Sequence, residues 1–67
     1  MKLKELLPVL PISFLVYDNT HDTIFNVEFF RMLYTPKYAH YLDYQVMLLE
    51  SSDHHVVVNI QEVGYAG

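Results

Sequence analysis

The sequence holds no cysteine and no tryptophan, two glycines and three prolines. Without cysteine no disulfide staples the 67-residue chain and no Cys-based zinc motif exists, so hydrophobic packing must hold the fold, as suits a reducing cytoplasm. The two glycines, Gly64 and Gly67, both fall in the last four residues. A phosphate-cradling loop or a nucleophile elbow needs glycine where the backbone turns sharply or approaches its ligand, so Ser13, Ser51 and Ser52 have no such frame. Basic residues are also few: four Lys and Arg stand against eight Asp and Glu, a formal net charge of -4. Clustered cations are what displace counterions from a phosphate backbone, and direct nucleic-acid binding is not expected here. The acids form no run, which argues against a nucleic-acid mimic, since steering needs a concentrated field.

A long uninterrupted hydrophobic run is missing too. The opening stretch MKLKELLPVLPISFLVY starts like a signal peptide, but Glu5 lies inside it, Pro8 and Pro11 break it, and no small-residue cleavage site follows. It is shorter than the roughly 20 apolar residues a membrane-spanning helix requires. The stretch is expected to be retained and folded, with no membrane partner.

What is present is an excess of apolar residues. The hydrophobic fraction is 52%, whereas a domain of about this size buries only some 60% of the surface its unfolded chain exposes. More apolar side chains exist than one small core encloses. Leu3, Leu6, Leu7 and Leu10 fall on one helical face, and Pro8 and Pro11 end that helix near Leu7. SFLVY (13–17) and TIFNV (23–27) are strand-like, and DNTHD between them supplies turn formers, which predicts a hairpin. VEFFRMLY (27–34) reads as a second short helix capped by Asn26, with Phe29, Phe30 and Leu33 on its apolar face. Thr35-Pro36 stops it or starts a further turn. DYQVMLLE and HHVVVNIQE form a second hairpin through SSD. In its first strand Tyr44, Val46 and Leu48 alternate with Gln45, Met47 and Leu49, so both faces are apolar and something beyond one helical layer is needed to cover them. The whole is a single α+β domain over residues 1–67 in the order αββαββ: an antiparallel sheet of about four strands with two short helices packed on one face.

Tyrosine is concentrated rather than spread. YTPKYAHYLDY, residues 34–44, holds Tyr34, Tyr38, Tyr41 and Tyr44. A tyrosine ring seeks burial while its hydroxyl seeks a partner, so such clusters suit half-wet contact surfaces, though each ring also suits the rim of a small core. With Phe30 these residues are the candidate partner-binding set, and the exposed edge strand of the sheet is the next candidate. The histidines offer a competing chemistry. His21-Asp22 and Asp53-His54-His55 lie at the two hairpin tips, where imidazole and carboxylate would bind zinc or do acid–base work if the tips converged. Neighbouring strand residues point to opposite faces and no HExxH or His-x-His occurs, so no metal, cofactor or catalytic residue is assigned.

Taken together, the start MKLKELLPVLP, the strand end Val16-Tyr17-Asp18, the YLDYQV strand and the VVVNI strand resemble short proteins of phages and mobile elements of Gram-positive bacteria. Some small phage proteins of this size resemble anti-defence inhibitors, including anti-CRISPRs, which bind a bacterial immune protein without doing chemistry. That resemblance implies a host defence protein as partner, in the cytoplasm of the bacterial host cell. Two other readings stand beside it: a self-associating accessory subunit, as a homodimer, and a small metal-dependent hydrolase.

Overall fold

The computed structural model describes residues 1–65, without the side chain of Ser52. Helix α1 spans Leu3–Leu6 and passes directly into a 3-10 turn at Leu7–Val9. Pro8 explains the change, because it has no amide proton to return to the carbonyl four residues earlier. At the other end the Glu5 carboxylate accepts the Lys2 backbone N–H at 2.8 Å, fixing the entry into α1. Strands β1 (Phe14–Asp18), β2 (Thr23–Val27), β3 (Gln45–Ser52) and β4 (His55–Gln61) form one four-stranded sheet in the order β2-β1-β4-β3. Two 3-10 segments, Phe30–Tyr34 and Ala39–Asp43, connect β2 to β3. This is the α+β architecture expected from the two hairpin signals and the helical segments.

Two features differ from the expectation. The sheet is mixed: β1 and β4 run parallel at its centre, while β1–β2 and β3–β4 are antiparallel hairpins. The pairing of β1 with β4 joins distant segments, so no local turn signal announces its direction. The segment expected as a second α-helix forms a 3-10 turn from Phe30 instead, and Asn26 does not cap it but continues β2 opposite Leu15. Strand β2 runs to Val27 and the backbone is still extended at Phe29, so the helical segment begins only at Phe30, and only Leu33 of that turn is fully buried.

The helical segments cover one sheet face. Leu3, Leu6, Leu33, Leu42 and Tyr44 pack against Phe14, Val16, Val27, Val58 and Ile60 in a single core. On the opposite face Leu15 and Tyr17 of β1 and Val57 and Asn59 of β4 lie half-buried beside exposed Ile24 and Leu48. A register shift between Val46 and Leu48 inserts one residue into β3, so Leu49 pairs with Val58 and Leu48 with Asn59. The simple alternation expected for β3 is thereby broken, and Leu48 faces the opposite side from Val46.

Asp18 is the one fully buried acid of the core. Its Oδ1 accepts the backbone N–H groups of Thr20 (2.9 Å) and His21 (3.4 Å), and its Oδ2 lies 2.7 Å from His21 Nδ1. A buried carboxylate must be paired, and these bonds do so while ordering the turn after β1. The same turn is tied to the end of β4: Asn19 donates its backbone N–H and its side-chain amide to the Ile60 carbonyl at 2.8 and 3.1 Å, and Glu62 donates to Thr20 Oγ1 at 2.8 Å.

Candidate protein-binding surface

The tyrosine-rich connection folds into two aromatic groups with opposite orientations. The first gathers around Phe25 of β2, which lies 5.1 Å from both the Tyr38 and Tyr41 rings. Tyr41 continues the chain of contacts to Tyr44 at 5.0 Å and stacks on His40 at 4.0 Å. Tyr44 is only 6% exposed, and Tyr38 and Tyr41 are half-buried. Tyr38 and Tyr41 therefore close the rim of the core, and Tyr44 lies inside it.

Electrostatics agree with that position. Burial, then the nearby Asp18 carboxylate, pushes the Tyr41 hydroxyl up to about 12. Burial first, then Asp18 and Glu62, raises Tyr44 as well. On the open sheet face Tyr17 donates its hydroxyl to the Asp22 carboxylate, and that bond raises its ionisation above the ordinary tyrosine range.

The second group turns outward. Phe29, Phe30 and Tyr34 are between 44% and 58% exposed, with Phe29 and Phe30 ring centres 5.0 Å apart and Tyr34 edge-on to Phe30 at 6.3 Å. The Arg31 guanidinium sits 5.7 Å over the Phe29 ring. Phe30 and Tyr34 form one wall of a groove of about 220 Å³, whose remaining lining is Lys4, Leu7 and Pro8. The groove exists because the Pro8 turn leaves its apolar side beside the 3-10 segment at Phe30–Tyr34. Apolar walls, two rings and one cation at the rim suit contact with a protein segment.

Of the five candidate residues, Phe30 and Tyr34 line this groove, Tyr38 and Tyr41 lie at the core rim, and Tyr44 is interior. Lys4, Leu7 and Pro8 complete the groove without having been singled out for it, since only folding brings residues 4–8 beside residues 30–34. A second, more open cavity of about 450 Å³ lies among Lys2, His40, Asp43, Tyr44, Glu62 and Val63. Lys4 binds Asp43 at 3.0 Å and Lys2 approaches it at 3.8 Å. Chiefly through Lys4, this pairing holds the Asp43 carboxyl below its usual range.

The hairpin tips do not converge. Because β1 and β4 are parallel, the turn holding His21 follows β1 at the Ile60 end of β4, whereas Asp53 and His54 precede β4 at the opposite end of the sheet. Asp22 and Asp53 adopt left-handed backbone at φ 51° and 43°, which aspartate tolerates in turns. Among the described residues, no group of three or more His, Cys, Asp or Glu side chains is arranged to hold a metal ion, and no helix is long and apolar enough to cross a membrane. Compared with family models, with curated proteins and with solved structures, the chain matches none.

Proposed function

We propose that the chain is a non-catalytic protein-binding module whose contact surface is the groove between the Pro8 turn and the Phe30–Tyr34 segment. The observation that supports this reading is the outward aromatic group: Phe29, Phe30 and Tyr34 remain about half exposed, whereas Tyr38 and Tyr41 of the same connection pack on Phe25. Rigid rings lose little conformational freedom on binding, and aromatic residues with an arginine beside them are the composition enriched at binding hot spots. The finer assignment, an inhibitor that occludes a bacterial host defence protein, is supported by the resemblance of MKLKELLPVLP, Val16-Tyr17-Asp18 and VVVNI to small phage and mobile-element proteins. Occlusion needs shape and contact alone, which a chain of 67 residues supplies.

The test is affinity capture from a bacterial lysate with the parent chain and with a Phe30→Ser, Tyr34→Ser double variant, followed by identification of the retained protein. A defence protein held by the parent and released by the double variant, with unchanged thermal melting, is the expected result. Equal retention by both chains moves the contact off this groove, and capture of no protein removes the inhibitor reading.

A further inference from the structure

We infer that the outer edge of β3 pairs antiparallel with the same edge of a second copy of the chain, joining two four-stranded sheets across a two-fold axis. This surface is separate from the Phe30–Tyr34 groove, and the inference stands apart from the reading given above. β3 is an edge strand eight residues long, whereas β2, at the other edge, has five. Soluble sheets protect such edges with lysine, proline or a covering segment. Residues 46–52, VMLLESS, contain no lysine, arginine or proline. Met47, Leu48 and Leu49 are 49–54% exposed.

The chain already shows how this edge accepts a strand. Lys2 bridges Gln45 in the antiparallel sense, Val46 donates to the Met1 carbonyl at 2.7 Å, and Leu3 donates to the Tyr44 carbonyl at 2.9 Å. The pairing then stops, because the chain turns into α1 at Leu3. Among the described residues, no other segment pairs with the outer edge beyond Val46.

The exposed leucines indicate an edge-on partner rather than a ligand lying on a face. Leu48 pairs with Asn59 and Leu49 with Val58, adjacent residues of β4, so the two leucines point to opposite sides of the sheet. Something laid on one face covers only one of them, while an added strand flanks both. A second copy meets the remaining requirements. Its edge is equally apolar and almost uncharged, and pairing a strand with itself is the isologous contact a two-fold axis generates.

The centre of the pairing follows by exclusion. Met1 already occupies the edge at Val46, so pairing reaches no further than Met47; a centre at Leu48 would leave only residues 47–49 to pair, whereas a centre at Leu49 pairs residues 47–51. A centre at Glu50 sets two carboxylates opposite each other, which is unfavourable. A centre at Leu49 places the two Leu49 side chains together on the helix-covered face and each Glu50 opposite a Leu48 on the other. Each copy carries a net charge of -4, so added salt, by screening that repulsion, strengthens the dimer.

Sedimentation equilibrium on the full chain tests this. A contact of one strand and a few aliphatic side chains lies at or below the standard interface size, so the parent is expected to pass from monomer to dimer between about 10 μM and 1 mM. Leu49→Lys, which brings two ammonium groups together at the axis, should weaken association at least about tenfold. Phe30→Ser with Tyr34→Ser should dimerise like the parent, separating this surface from the groove. A parent chain that stays monomeric throughout that range overturns the inference, as does a folded Leu49→Lys variant that dimerises normally. Should Leu49→Lys fail to fold, amide exchange on the parent decides: amides within residues 47–51 gain protection with concentration if they pair, and an unchanged pattern overturns the inference.

Discussion

The Phe25 group and the Phe30 group contain the same kinds of side chain, within one connection, and have opposite relations to solvent. Tyr38 and Tyr41 pack on a ring supplied by β2, Tyr44 packs on Tyr41, and burial together with the nearby Asp18 carboxylate raises the Tyr41 hydroxyl. Phe29, Phe30 and Tyr34 contact mainly each other, under the Arg31 guanidinium. The difference is set by what each can reach. The first group has a half-buried phenylalanine and a buried aspartate within range, whereas the 3-10 turn at Phe30–Tyr34 turns Leu33 and, in part, Met32 to the core and leaves Phe30 and Tyr34 outside. Aromatic density by itself therefore does not mark a binding surface; the availability of an internal partner decides.

Substitutions in the two groups should separate by size of effect. Tyr44→Ala removes an interior ring and should destabilise the chain by about 3 kcal/mol or more, read by chemical denaturation; a loss comparable to that of a surface substitution would show that the ring is not core. Tyr38→Ala, at the half-buried rim, should lower stability by about 1–2 kcal/mol, and an effect as large as that of Tyr44→Ala would dissolve the distinction between rim and interior.

The Tyr41 hydroxyl supplies a smaller, pH-dependent difference. Its folded value is raised to about 12, against about 10 in an unfolded chain. The folded state thus holds the proton more tightly, and the stabilisation is complete below pH 10 and lost as pH rises toward 12. Tyr41→Phe, which cannot ionise, should lose less of its melting temperature between pH 9 and pH 12 than the parent. Equal losses would show that the fold does not raise the Tyr41 hydroxyl. The smallest effect on stability belongs to Phe30→Ser with Tyr34→Ser, within about 0.5 kcal/mol per site, while the same pair should weaken partner binding by about 2 kcal/mol or more if the rings are hot spots. Strong destabilisation there would place the outward group in the core after all.

Both hairpins were legible, because DNTHD and SSD carry turn chemistry between strand-like runs, although β3 runs on through Ser52 and the second turn falls at Asp53 and His54. The left-handed aspartates Asp22 and Asp53 are the residues that close them. Helix α1 was legible from its leucine spacing and its prolines. The segment at 27–34 was misread because Phe29, Phe30 and Leu33 match a helical face by spacing, while spacing does not show that β2 runs on to Val27 and that the backbone is still extended at Phe29. The parallel β1–β4 pair and the bulge between Val46 and Leu48 depend on contacts between distant residues. The same limit applied to the surface: Phe30 and Tyr34 were identifiable as candidates, but their groove wall at Leu7 and Pro8 exists only once the chain is folded, and Tyr44 was indistinguishable from its neighbours until Phe25 and Asp18 were in place.

The stapling of the Asn19–Thr20 turn to the end of β4 bears on the order in which the chain folds. Asn19 and Ile60 are separated by 41 residues, so the first turn receives part of its support only after the last strand has arrived. The hairpin of β3 and β4, joined by Asp53 and His54, closes locally and on its own time. Loop closure over the longer span is slower and entropically harder, which makes docking of β1 beside β4 the expected rate-limiting event. On that account Val16→Ala and Val58→Ala, facing each other across the parallel pair, should slow refolding more than they speed unfolding.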